Sequence, residues 1–314
     1  MENIGIDTGH GLVKGMGPNS RILFPAMLAP APQGLELGNF ARQNVMEIQL
    51  DGGEKERCLY GAEAIRTGHP VFAARKSADH DTHILTWIAA AQLVPAGFST
   101  LSLAVGVPLS WWAREREPLA RALTKNLSVG DRYLHIQEVQ VLPQGIGALL
   151  SSLDHPRDGY YALVDIGYRT TDYLVARLSG GAPKVLPDLS GTLELGMHHA
   201  FAAAAQAMEK VYAAAYSPAA IMAAANGHED LVAYGSVIEL PAFLAVPYQA
   251  LAGGIVHQLE SAWSSILPEL RGVVLSGGGG LVLNEIFTMP HRLADDPQWA
   301  NVAGFLGSLE RSAV

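Results

Sequence analysis

Cysteine is nearly missing: the sole thiol in the 314-residue chain is Cys58. One cysteine excludes an intramolecular disulfide and any cysteine-based zinc site, and it suits a reducing compartment. Charge is also scarce, with Asp, Glu, Lys and Arg at 16% of residues and a net charge of −9. No cluster of Lys and Arg makes a stripe that could follow a phosphate backbone, so direct nucleic-acid binding is not expected. Long uninterrupted apolar runs are missing too. The run at Ile4 is broken by Asp7 and glycines, which speaks against a signal peptide. The stretch GMHHAFAAAAQAMEKVYAAAYSPAAIMAAA is alanine-rich and interrupted by charge and Pro218, so it is a poor membrane span. These absences predict a soluble, cytoplasmic protein with no membrane insertion.

What is present is enough apolar side chain, 49% of residues, to build a sizeable core, and enough length for two domains. Strand and helix patterns alternate, which predicts an α/β class. Short strands are expected at Ile4–Ile6, in GLVKGMG and in SRILFPAMLAPAPQG, the last running into a Pro-rich loop. DGGE reads as the turn of a hairpin within NVMEIQLDGGEKERCLYG. DHDTHILTWIAAAQLV predicts an amphipathic helix ending before Pro95. STLSLAVGVP is a strand buried on both faces. WWAREREPLARALTKNL is at least partly helical, YLHIQEVQVLPQ is a strand, and GIGALLSSL begins a helix. GYYALVDIG and TTDYLVARL form a hairpin. Helices follow in AFAAAAQAMEKVYAAAY, read as a closely packed interior helix, in IVHQLESAWSSIL and in NVAGFLGSLERS. The segment YYALVDIGYRTTDYLVARL repeats the opening pattern of strand, Asp-x-Gly turn and strand. Two related halves are therefore expected, meeting near residues 145–160.

Four glycine-bearing turns stand out. They are Asp7 to Lys14 (DTGHGLVK), Asp165 to Asp172 (DIGYRTTD), the Gln144 turn in VLPQGIGA, and Gly277 to Gly280 after the buried strand VVLS. A glycine turn between strands is commonplace, and each stretch alone is ambiguous. Together they suit a nucleotide polyphosphate. Glycines let backbone N–H groups approach phosphate oxygens, and Lys14 can neutralise them. Asp7 and Asp165 are carboxylates at strand ends, able to hold hydrated Mg²⁺, which keeps several waters. Gln144 is a neutral amide able to orient an attacking water.

In this order the set resembles the actin-like ATPase superfamily of actins, heat-shock ATPase chaperones and sugar kinases. Within it the chain looks most like plasmid-segregation actins of the ParM type. IGIDTGHGLVKG resembles phosphate loop one, CLYGAEAI a small-domain segment and LAVGVPLSWW a strand end of that family. VLPQGIGAL resembles the connecting motif, and ALVDIGYRTTDYLV phosphate loop two. VVLSGGGGLVL resembles the adenosine loop and PQWANVAGFLG the C-terminal return helix.

The resemblance implies an actin-like fold of two RNase H-like halves around a central nucleotide cleft. Domain I would span 1–150, with a small subdomain at about 20–75 and a helix at about 299–312 packing back on it. Domain II would span 151–298. ATP and Mg²⁺ are the implied cofactors. Asp7 and Asp165 would organise the Mg²⁺ water shell, Lys14 would contact the β- and γ-phosphates, and backbone amides of Thr8, Gly9, Gly167 and Thr170 would cradle them. Gln144 would place the water. Gly196, Met197 and Gly277, Gly278 and Gly279 would line the adenosine pocket. The implied biology is a nucleotide-dependent filament of like protomers that segregates plasmid DNA or positions cargo, reached through a DNA-binding adaptor protein. A non-polymerising ATP-binding adaptor, or a sugar or acid kinase, shares the same features.

Two departures from the ParM pattern stand out. Gln144 replaces a frequent glutamate, which suits slow hydrolysis because an amide is a poor base. Tyr168 and Arg169 replace small residues, and either narrow the phosphate pocket or bring Arg169 to phosphate. The eleven histidines show no metal spacing, and adjacent His198 and His199 face different ways on a helix. Trp111 and Trp112 read as core or domain packing, or as a protomer contact.

Overall fold

The computed structural model describes residues 1–31, 45–65, 67–71, 75–153, 157–180 and 182–312. The chain divides into two units. The first is Met1–Val107, Trp111–Leu142 and Phe305–Val314; the second is Pro108–Ser110 and Pro143–Gly304.

The first unit is built on β1 (Glu2–Thr8), β2 (Leu12–Met16), β3 (Arg21–Pro25), β4 (Met27–Pro30), β5 (Met46–Leu50), β6 (Lys55–Tyr60), β7 (His69–Pro70), β8 (Gly97–Val107), β9 (Asn126–Val129) and β10 (Arg132–Pro143). They form one sheet in the order β3-β2-β1-β8-β10-β9-β5-β6-β4-β7. β1 and β2 make an antiparallel hairpin that sets Asp7 opposite Lys14. On its other edge β1 runs parallel to β8, whose near-continuous apolar sequence is buried as expected. SRILFPAMLAP is two strands broken at Ala26 rather than one, and the Pro-rich stretch after Ala31 lies outside the described residues.

Helix α1 (His80–Gln92) starts at Asp79, whose side chain accepts the Thr82 N–H. It was expected to be amphipathic, yet Thr82 to Ala91 are all buried. Its small alanines let neighbours close in on every side, and it packs against β1 and β2.

Helix α2 (Leu109–Leu123) carries Glu115, which is fully buried. The carboxylate accepts the Ser77 N–H at 3.0 Å, Arg114 Nε at 3.2 Å and Arg75 Nε at 3.3 Å. Burial pushes its pKa up, but the hydrogen bonds from Ser77, Arg75 and Arg114 outweigh burial and hold it below the ordinary 4.5. A depressed carboxylate stabilises the fold above its unfolded pKa, and that contribution is lost as pH falls through the folded value. Glu115→Gln is expected to cost about 1–3 kcal/mol at neutral pH. The difference should shrink below about pH 4, as read by urea midpoints; a cost that does not change with pH would contradict the ionised role. On the same helix Trp112 Nε1 donates to Val141 O at 2.8 Å, and Arg116 lies over its ring at 4.9 Å. That tie holds Trp112 against its own unit.

The second unit holds α3 (Ile146–Ser151), β11 (Gly159–Ile166), β12 (Thr171–Ser179), β13 (Ala182–Val185), β14 (Gly191–Leu193), α4 (Met197–Tyr212) and α5 (Pro218–Ala225). After these come β15 (Val232–Ala233), β16 (Ser236–Val237), α6 (Pro241–Ala262), β17 (Leu270–Ser276), α7 (Gly277–Leu283), β18 (Arg292–Leu293) and the start of α8 (Ala300–Ser312), whose residues from Phe305 belong to the first unit. Its main sheet runs β13-β12-β11-β17-β18, with β14 beside β12. β11 and β12 form an antiparallel hairpin that sets Asp165 opposite Asp172, and β11 runs parallel to β17. The local topology of β1, β2 and β8 thus recurs in β11, β12 and β17.

Three helix expectations are corrected. The glycines from Gly277 open α7 instead of forming a loop. α6 begins at Pro241, well before Ile255, and runs through Pro247 and the Gly253–Gly254 pair despite their poor helical propensity. α4 is not an interior helix: Met197, Ala200, Phe201, Ala204 and Met208 form one buried stripe, whereas Ala203, Gln206, Glu209 and Lys210 are exposed. It ends at Ala213 in the left-handed region, and Ser217 and Pro218 start α5 as a separate helix.

Candidate functional site

Asp7 lies at the end of β1, buried, with Oδ2 at 3.9 Å from Lys14 Nζ. The register of the β1–β2 hairpin produces this pairing. Thr8 is buried, and its hydroxyl is 2.9 Å from Thr86 Oγ1. Thr86 gives its only hydroxyl proton to Thr82 O at 2.7 Å, so Thr8 is the donor. The Thr8 hydroxyl is thereby turned into the fold, leaving the backbone as its means of meeting a ligand. Gly9 donates its N–H to Leu12 O at 3.1 Å, closing the turn, and a Cβ on Gly9 would meet that oxygen at 3.0 Å.

The second unit repeats this turn. Gly167 donates to Thr170 O at 2.9 Å, and a Cβ there would meet the same oxygen at 3.1 Å. In both turns the glycine stands two residues after the aspartate and bonds a carbonyl three residues on. The Gly9 and Gly167 amides, which the resemblance assigns to phosphate, are therefore already engaged in closing their turns.

Asp165 ends β11, and its Oδ2 accepts a hydrogen bond from Asn301 Nδ2. Asn301 Oδ1 accepts the Gly145 N–H at 2.9 Å. Gly145 has φ of +92°, a conformation suited to glycine, and follows Gln144 directly. The structure thus joins the Gln144 turn and Asp165 through one buried amide on α8. Sequence reading missed Asn301. Its signal was a polar, weakly helix-forming residue inside an otherwise apolar helix start. Thr86, the partner of Thr8, was missed for the same reason: it sits in α1 among alanines and isoleucines.

The residues expected near adenosine gather around the second turn. Gly196 lies flat on it, since a Cβ would come within 2.5 Å of Arg169 C and 2.7 Å of Thr170 N. Met197 N donates to Gly167 O at 3.1 Å, and His198 N to Tyr168 O at 2.6 Å. The start of α7 approaches the same place: a Cβ on Gly279 would meet Ile166 Cγ2 at 2.5 Å and Met197 Cγ at 2.9 Å. Gly278 faces open space.

Tyr168 turns inward. Its ring packs on His198 and Phe201, with centroids 5.3 and 6.2 Å away, and burial pushes its pKa up to about 12. Arg169 Nε lies 3.7 Å from Glu194 Oε2, with both side chains well exposed. His198 Nδ1 meets the Tyr168 hydroxyl at 3.1 Å, and His199 Nδ1 accepts the Gly196 N–H at 3.3 Å. Burial first, then His199 and Arg169, lower the His198 pKa. These two histidines hold α4 to the turn.

Asp7, Thr8, Gly9 and Lys14 belong to the first unit, and Gln144, Asp165, Gly167, Thr170, Gly196, Met197 and Gly277 to Gly279 to the second. Among the described residues no group of three or more His, Cys, Asp or Glu side chains could hold a metal ion. Single carboxylates at strand ends fit instead a hydrated Mg²⁺ that needs few protein ligands. No helix among the described residues is long and apolar enough to cross a membrane.

Two family models match the chain. The actin-like proteins N-terminal domain covers residues 5–147, and the C-terminal domain of the archaeal actin homologue MreB-like family covers residues 163–288. An archaeal actin homolog of Thermoplasma acidophilum is 25% identical, over 98% of this chain and 99% of the relative. The subunit of a 15-stranded ParM filament from Clostridium botulinum superposes with a TM-score of 0.83 at 20% identity, covering 99% of both chains. The archaeal actin homolog Ta0583 in complex with ADP gives a TM-score of 0.81 at 23% identity, over 99% of this chain and 100% of that one. These similarities show the fold expected from the sequence.

Proposed function

The chain belongs to the actin-like ATPase superfamily, and on that premise we propose that it binds and hydrolyses Mg-ATP and polymerises in response. The observation that carries this reading is the repeated Asp-x-Gly turn, closed in the same way in both units. Each turn places a carboxylate at the end of a strand, in a form that suits a nucleotide phosphate. Mg²⁺, when bound, neutralises phosphate charge, and Asp7 and Asp165 would hold its waters. Lys14, released from its pairing with Asp7, would meet the β- and γ-phosphates. Thr8 and Thr170 would offer backbone amides, while Gly9 and Gly167 shape the turns that present them. Gly196, Met197 and Gly277 to Gly279 would border adenosine. The ADP complex of Ta0583 and the ParM filament support nucleotide binding and self-association respectively. A cytoplasmic filament that segregates plasmid DNA or positions cargo through a DNA-binding adaptor is the biology proposed.

Gln144 would orient the attacking water. Gln144→Ala is expected to slow turnover roughly ten- to a thousand-fold with nucleotide affinity nearly unchanged, because such a group acts on the transition state. A large loss of ATP affinity with normal turnover at saturation would make Gln144 a binding residue instead.

Assembly supplies the decisive test. Filament contacts that prefer the nucleotide-bound state couple reciprocally to nucleotide. Light scattering is expected to rise on adding Mg-ATP and to fall as ATP is consumed. Equal scattering with ATP, ADP and no nucleotide would sink the coupling. Nucleotide binding without polymer under any condition would identify an ATP-binding adaptor.

A further inference from the structure

We infer that Asn301 is a positioning residue for hydrolysis, fixing the Asp165 carboxylate and the Gln144 turn to each other through its side-chain amide. The inference rests on the ATPase reading above. Asn301 is 6% exposed and bonds both partners at once. The Gly145 N–H can only donate and an ionised Asp165 can only accept. One orientation of the amide satisfies both, and the flipped one satisfies neither. No other side chain of this size offers that pair: aspartate lacks the donor and leucine lacks both groups.

The backbone fixes the distances. Gly304 is one helical turn beyond Asn301 on the same face of α8. There α8 crosses α3 so closely that a Cβ on Gly147 would meet Gly304 Cα at 2.7 Å, and a Cβ on Gly304 would meet Gly147 Cα at 2.7 Å. On the other side of the amide, a Cβ on Gly145 would meet Leu174 Cδ2 at 2.8 Å and Leu163 Cδ2 at 2.9 Å. The amide is therefore held by helix, turn and strand. Neither Asp165 nor Gln144 can shift without disturbing Asn301.

Two substitutions separate positioning from space-filling. Asn301→Asp keeps the shape and the acceptor for Gly145 but turns a carboxylate oxygen toward Asp165. Asn301→Ala removes both bonds. Single-turnover hydrolysis is expected to fall about a hundred-fold in Asn301→Ala, the scale of a small misplacement, and further in Asn301→Asp. Binding of fluorescent ADP is expected to change less than about three-fold, since the amide acts on the reacting geometry. If Asn301 only fills space, the isosteric Asn301→Asp is the milder change and the role is overturned. The nucleotide-free melting temperature gives an independent readout. Asn301→Asp should lower it, and combining it with Asp165→Asn, which restores a donor facing an acceptor, should recover it. No recovery overturns the bonded pair. Inactive parent protein overturns the ATPase reading and this role with it, whereas active parent with an equally active Asn301→Asp overturns this role alone.

Discussion

Asp165→Ala is expected to abolish ATP turnover, by roughly a thousand-fold or more, while the protein stays folded. The carboxylate sits where β11 ends, opposite Asp172 in the hairpin and beside Ser276 of the parallel strand. Its Oδ2 takes the Asn301 amide, and its Oδ1 faces Gly277, where an added Cβ would lie 2.3 Å away. Such a group is held by directed contacts on both of its oxygens. Removing it leaves the Asn301 donor unmatched, a cost of about 1–3 kcal/mol that a domain of ordinary stability survives. Phosphate release at saturating Mg-ATP, measured beside a thermal melt, checks both halves of the expectation. Turnover at the parent rate would show that the carboxylate has another purpose.

The largest loss of stability is expected from Gly277→Ala. Gly277 has φ of +85°, and a Cβ there would also lie 2.4 Å from Ile166 O, a backbone atom that cannot move aside. Strain and overpacking each cost about 1–3 kcal/mol. Gly278→Ala provides the control, because nothing lies within 4 Å of its added Cβ. Urea titration without nucleotide is expected to show a large shift for Gly277→Ala and almost none for Gly278→Ala. Equal shifts would mean that neither the positive φ nor the close approach to the Asp165 turn sets the cost.

The parts of the site that sequence reading found are those in which a few adjacent residues determine the outcome. Asp7-Thr8-Gly9 and Asp165-Ile166-Gly167 each make a turn from local chemistry, so both were legible, as was the pairing of hairpins around them. Asn301 was hidden because it meets Asp165 across 136 residues, a distance over which no local pattern speaks. Alanine misled in both directions. It tolerates burial and exposure alike, so α1 proved buried on all faces and α4 exposed on one. Glycine and proline misled as well. Four glycines suggested a loop where α7 begins, and Pro247 with Gly253–Gly254 concealed most of α6, because tertiary packing overrode weak helical propensity. Tyr168 and Arg169 left two possibilities open in sequence. Packing on Phe201 turned Tyr168 inward, and Glu194 pairs with Arg169.

The span between Asp165 and Asn301 also has a meaning in time. At about 5–20 residues per second, a ribosome takes on the order of ten seconds to add those 136 residues. Thr8 meets its partner Thr86 after only 78 residues, so the first turn gains its buried support early in synthesis. The second carboxylate waits, without its amide, until α8 has been made. In synthesis order the partner of the first turn is therefore made long before that of the second, and the Asp165 turn lacks its buried amide until Asn301 has been added.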